Sequence, residues 1–276
     1  MKLGKVKEKL SLEVLELRES RKSIYDFEMN LIKNFNQRHV FIKKILDDYN
    51  NKTITDKSIL EIAASYHLSS LVTCWETFFR DVFVMICDTD NLIKKKIHLE
   101  LETKPWILKG INDNNITIGD YMSKQFNFQN LQETIKALNF LFDNDYDNIS
   151  DYVSLGISDK TVFGGANYIL YWLQEEDTFS KNINETVIQA FEVRHKIIHD
   201  ANYKFNIDSE FMTKVDHCFL IIPQCIAKYI CKKYNIENAT INVKNEIKRG
   251  PNGINEDYSP YIFTIRDLDS TFYIHD

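Results

Sequence analysis

Residues 57 to 88, which include "ASYHLSSLVTCWETFFRDVFVMI", carry apolar side chains almost all the way round a helical wheel. A helix without a polar face cannot lie on a surface, so this one is expected to be central and covered on several sides by the rest of the chain. The covering elements are expected to be helices too. Only 8 Gly and 4 Pro occur in 276 residues, with long stretches free of both, which disfavours a sandwich or barrel of many short strands. With 18 Phe and 14 Tyr the chain can build a sizeable core without disulfides or metals.

Before the central segment, residues 5 to 49 place Leu10, Val14, Leu17, Ile24, Phe27, Leu31, Phe35, Ile42 and Ile45 at spacings near three and four. The spacing predicts one very long amphipathic helix, or two nearly collinear ones. "NKTITDKSI" breaks it, and Thr55 or Asp56 is a suitable N-cap for the central helix. From 90 to 130 short helices and an exposed "GINDNN" loop are expected, followed by a helix over 130–143 and a polar connection with room for one short helix. Residues 159–182, with the Gly164-Gly165 pair, and 183–201 read as successive helices. A final helix over 209–234 is expected to kink or break near Pro223.

After Asn235 the texture changes to alternation with a period of two in "ATINVKNEI", "SPYIFTIRD" and "STFYIHD". The fold class is therefore mainly α. An α-helical domain over 1–235 has its core at 57–234 and an N-terminal helical extension at 5–49, and a small β-hairpin or three-stranded appendage occupies 236–276.

A formal net charge of −6 means that any nucleic-acid binding must come from a local patch. Lys94, Lys95 and Lys96 read as a solvated turn. Lys228, Lys232, Lys233, Lys244, Lys248 and Arg249 make the late chain locally basic. Cys74, Cys87, Cys218, Cys225 and Cys231 lie in apolar helical patterns without a CxxC pair, as buried thiols do in a reducing compartment. No 18-residue apolar run and no signal peptide are seen, so a cytoplasmic protein without a membrane anchor is expected.

The candidate functional stretch is "EVRHKIIHDA", residues 192–201. At about 100° per residue, with Arg194 at zero, His195 falls near about 100° and His199 near about 140°. Ala190, Val193 and Ile197 fall between roughly 260° and 320°, an apolar face that leaves the polar trio aimed away from the core. His195 and His199, four apart, could share a metal, with His217 or Asp200 as a further ligand, but the Glu of a HExxH motif is missing.

Arg194, His195 and His199 reproduce the R-(N/D/H)-xxx-H form of the Arg-x(4–6)-His signature of HEPN domains. With the upstream "LVTCWETFFRDVF" helix and one further long helix, the region 57–234 resembles these α-helical bundles, found in many prokaryotic ribonucleases and toxins. The resemblance implies a metal-independent and cofactor-free endoribonuclease that cuts RNA by attack of the 2′-hydroxyl at a homodimer cleft. His199 would act as general base or acid and Arg194 would stabilise the phosphorane, with His195 in a supporting role. Glu76, by its type and expected burial, is the supporting candidate to partner Arg194 or a histidine. A toxin or antiviral-defence role, with an antitoxin or sensor protein as partner, follows by family analogy. The alternative is a catalytically inactive HEPN-like module that binds a partner protein or nucleotide.

Overall fold

The computed structural model describes residues 23–102, 104–113, 116–157, 176–200, 202–206 and 208–235. Among them every regular element is an α-helix: α1 (Ile24–Asn50), α2 (Lys57–Thr89), α3 (Asn91–Glu102), α4 (Pro105–Asp113), α5 (Ile118–Ser123), α6 (Leu131–Phe142), α7 (Ile149–Ile157), α8 (Glu176–His199) and α9 (Ser209–Tyr234). The helical extension before Ser23, the Gly164-Gly165 pair and the β-like tail after Asn235 lie outside the described residues.

Local chemistry sets the helix ends. Ser23 and Asp26 form a capping box at α1: the Ser23 hydroxyl accepts from the Asp26 N–H at 3.2 Å and the Asp26 carboxylate accepts from the Ser23 N–H at 3.0 Å. Asp56, one of the two expected N-caps, accepts from the Ser58 N–H and starts α2. Asp143 and Asn235 end α6 and α9 in the left-handed conformation, which short polar side chains tolerate better than branched ones.

Helix α2 is the axis of the fold, contacting α1, α3, α5, α6, α8 and α9. Its Trp75 is fully buried among Phe79, Phe191 of α8 and Phe219 of α9, with ring centroids 4.6, 5.8 and 5.1 Å away. Offset and edge-to-face aromatic packing of this kind stabilises beyond simple area burial. None of the described helices is long and apolar enough to cross a membrane.

Four expectations need correction. Lys94, Lys95 and Lys96 are not a turn: they lie within α3, between the buried Ile93 and Ile97. "GINDNN" is not all loop: Gly110–Asp113 continue α4, and Ile111 is buried, so its anchoring in the core outweighs the polar composition. No boundary separates residues 182 and 183. Helix α8 runs through them, with Phe179, Ile183, Val187 and Ala190 buried in helical register and no Gly or Pro to stop it. Of the kink or break expected near Pro223, the break does not occur, since α9 runs through it. Pro lacks the N–H that a helix interior needs and disturbs the preceding turn. There the buried Gln224 side chain donates to the Leu220 carbonyl at 2.7 Å.

Gly156 marks where α7 crosses α9. A Cβ there would sit 2.6 Å from the Cys225 carbonyl carbon, inside any real contact distance. In an open helix, Gly→Ala stabilises by roughly 1 kcal/mol. Here overpacking against backbone dominates, and Gly156→Ala is expected to destabilise by about 1–3 kcal/mol or more. A shift of the urea midpoint to lower concentration checks this; a shift upward would mean the two helices separate freely.

Candidate functional site

The motif occupies the last two turns of α8. Ile183, Val187, Ala190 and Phe191 bury one side of the helix, while Lys181, Glu185, Ile188, Glu192, His195 and His199 recur at spacings of three and four along the exposed side. These six lie on one narrow stripe. At its end the His195 and His199 rings face each other with centroids 4.5 Å apart and planes tilted by 46°. Both rings are open to solvent.

Arg194 is placed differently. It is half-buried, and its Nε is a buried donor with no hydrogen-bond partner among the described residues. The expected grouping of the trio on one outward face therefore holds for the two histidines and not for Arg194. The cause is the true centre of the apolar face: Ile183, Val187 and Phe191 extend it around the wheel until it includes position 194. Arg194 consequently sits at the lip between core and surface.

Glu76 takes neither of its expected partners. Its carboxylate accepts from Arg80, one turn along α2, and from the Gln129 side-chain amide. With Glu76 19% and Arg80 47% exposed, the pair is partly solvated, and exposed pairs of this type contribute about 0.2–1 kcal/mol. His217, considered above as a metal ligand, is fully buried in α9, away from solvent-exposed His195 and His199. No group of three or more His, Cys, Asp or Glu suited to a metal ion occurs among the described residues.

A buried polar cluster that the sequence did not announce joins three helices. Asp216 of α9 accepts from His67 Nε2 of α2 at 2.7 Å and from His39 Nδ1 of α1 at 3.3 Å, and all three residues are at most 1% exposed. Burial alone would push the Asp216 carboxyl up. The charge of His67 and the hydrogen bonds from both rings outweigh it and hold the group at about 2. An ionised carboxylate only accepts, so both facing ring nitrogens carry hydrogen. The signal is helical register: His39 shares a face with Phe35 and Ile42, His67 with Ala63 and Leu71, and Asp216 with Met212 and Phe219, which marks burial without naming the partner.

Glu28 of α1 is the opposite case. Burial pushes its carboxyl up to about 8 against the pull of Lys228 on α9. Between its ordinary 4.5 and about 8 the unfolded chain releases this proton while the folded chain keeps it. The contribution is therefore fully present below pH 4.5 and lost as pH rises through about 8. Glu28→Gln is expected to remove that loss and stabilise the protein at pH 8 by an amount on the order of a few kcal/mol. Denaturant titrations at pH 5 and pH 8 check it; a variant weakened at pH 8 would show that Glu28 is an ionised partner of Lys228.

Comparison of the chain with models of known protein families, with characterised proteins and with solved structures yields no match.

Proposed function

We propose that this protein is a metal-independent endoribonuclease of the HEPN type, acting as a homodimer in a toxin or antiviral-defence setting, with Arg194 and His199 as its catalytic pair. The observation that carries the reading is the solvent-facing His195–His199 pair at the end of α8, next to an Arg whose buried Nε has no hydrogen-bond partner among the described residues.

RNA supplies its own nucleophile. In this reading His199 accepts the proton of a 2′-hydroxyl as its oxygen attacks the adjacent phosphorus, and the 5′-oxygen leaves with a proton from a second acid. The products are a 2′,3′-cyclic phosphate and a 5′-hydroxyl. Arg194, a permanent cation with a planar fork, stabilises the phosphorane oxygens. His195 binds the neighbouring phosphate.

Arg194 and His199 leave the same helix about 140° apart, so one helix cannot bring both squarely onto one phosphorus. A second copy across the exposed stripe supplies the missing group. Ile188 and Ile198, 38% and 48% exposed on α8, offer apolar area for that contact.

The burial of Arg194 also favours a second reading, the catalytically inactive HEPN-like module that binds a partner protein or nucleotide, because an Arg held at the core lip can serve a structural role. Induced expression separates the two. The ribonuclease is expected to arrest growth, His199→Ala is expected to restore it, and light scattering is expected to give twice the chain mass. Equal tolerance of both forms, or a monomer, would contradict the proposed enzyme.

A further inference from the structure

Away from α8, the antiparallel pair α1 and α2 opens into a groove of about 210 Å³. Its walls are two polar ladders. Asn30, Asn34 and Arg38 recur every four residues on α1, and Thr73, Thr77 and Asp81 recur every four on α2. Four-residue spacing puts each set on one face of its helix. The floor between them is apolar, formed by Phe27, Leu31, Cys74 and Phe78.

The two ends differ in charge. Arg38 lies level with Thr73 and Cys74, and its positive charge reaches the Cys74 thiol. Asp81, itself engaged by another group, lies two helical turns away, about 12 Å along α2. Arg38 is under-used as a donor. It gives one Nη1 hydrogen bond, to the Asn34 carbonyl at 2.8 Å, while its buried Nε has no hydrogen-bond partner among the described residues. A guanidinium has five donors in a fork that matches the paired oxygens of a carboxylate or phosphate.

Size narrows the ligand. Drug-sized and cofactor-sized molecules occupy pockets of roughly 300 Å³ and more, so this groove takes something smaller. The amides and hydroxyls along its walls suit a body that carries several hydroxyl groups.

We propose that the α1–α2 groove binds a small hydroxylated organic anion, with its carboxylate or phosphate on Arg38 and its hydroxyls along the Asn30–Asn34 and Thr73–Thr77 rungs. The site is independent of the ribonuclease reading, since none of its residues belongs to α8.

Calorimetric titration of the full chain with ribose 5-phosphate, gluconate and inorganic phosphate tests this. At least one of the two organic anions is expected to bind with 1:1 stoichiometry and more tightly than inorganic phosphate, and whichever binds better identifies the anionic group. Arg38→Gln is expected to weaken binding about ten- to a hundredfold through loss of a charge-assisted contact. Thr77→Val, close in shape to the native residue, is expected to weaken it several-fold and keeps the test open should Arg38→Gln fail to fold. Absence of binding by both organic anions, inorganic phosphate binding as tightly as either, or affinity unchanged in Thr77→Val would overturn the proposal.

Discussion

Asp216→Ala is expected to lower the unfolding free energy by about 3–5 kcal/mol, because it leaves His39 and His67 buried without the carboxylate that pairs them. The effect is large because the cluster ties α1, α2 and α9 together at a point that solvent does not reach. Loss of one partner then costs the desolvation of the others in full. A pH series provides an independent handle. The Asp216 carboxyl is held at about 2, below its ordinary 3.8, so its contribution is present above pH 3.8 and is lost as pH falls through about 2. Urea titrations between pH 7 and pH 2 are expected to show an acid limb in the wild type that is shallower in Asp216→Ala. Equal acid limbs would mean that Asp216 does not hold its charge when folded. Since Glu28 acts in the opposite direction at higher pH, the combined contribution of the two carboxyls is greatest between pH 3.8 and 4.5 and declines from there toward about 8.

Under the proposed ribonuclease reading, His199→Ala is expected to reduce RNA cleavage by about 10²- to 10⁴-fold, the usual contribution of a positioned acid–base group. Arg194→Ala is expected to reduce it by about 10²- to 10³-fold through lost stabilisation of phosphorane charge. Both losses should fall on kcat, since the roles proposed for these groups are exerted mainly in the transition state. His195→Ala, by contrast, is expected to raise KM with kcat largely retained. Because Arg194 is half-buried, a fold control matters for that variant alone, and Arg194→Lys supplies it: the charge stays, the bidentate fork goes. If Arg194→Lys cleaved at the wild-type rate, the phosphate-orienting role of Arg194 would be wrong. Single-turnover kinetics on a short RNA measure all four variants.

The helices were legible because their signals are local. The near-continuous apolar character of 57–88, the N-cap at Asp56 and the scarcity of Gly and Pro each act within a few residues, and α2 follows them closely. Where a polar run overlay a buried anchor, as at Ile111, or where no breaker residue existed, as at 182–183, the pattern misplaced a boundary. The exposed histidine pair was legible too, as a spacing of four on a helix. Arg194 was misjudged by drawing the apolar face from three residues when Ile183, Val187 and Phe191 also belong to it. For Glu76 the nearer partner was visible in the sequence, since Arg80 stands four residues on, and local geometry prevailed over a distant pairing. The His39–Asp216–His67 cluster was not legible: its members are 149 and 177 positions apart, and a wheel reports burial but never the neighbour across the core.

The measurement that bears most directly on the proposed activity is incubation of total cellular RNA with the purified protein in excess EDTA, followed by analysis of the product ends. Cutting that survives EDTA, leaves 2′,3′-cyclic phosphates and 5′-hydroxyls, and disappears in His199→Ala is expected of the proposed enzyme. Cutting abolished by EDTA, or 3′-hydroxyl products, or undiminished cleavage by His199→Ala would contradict it.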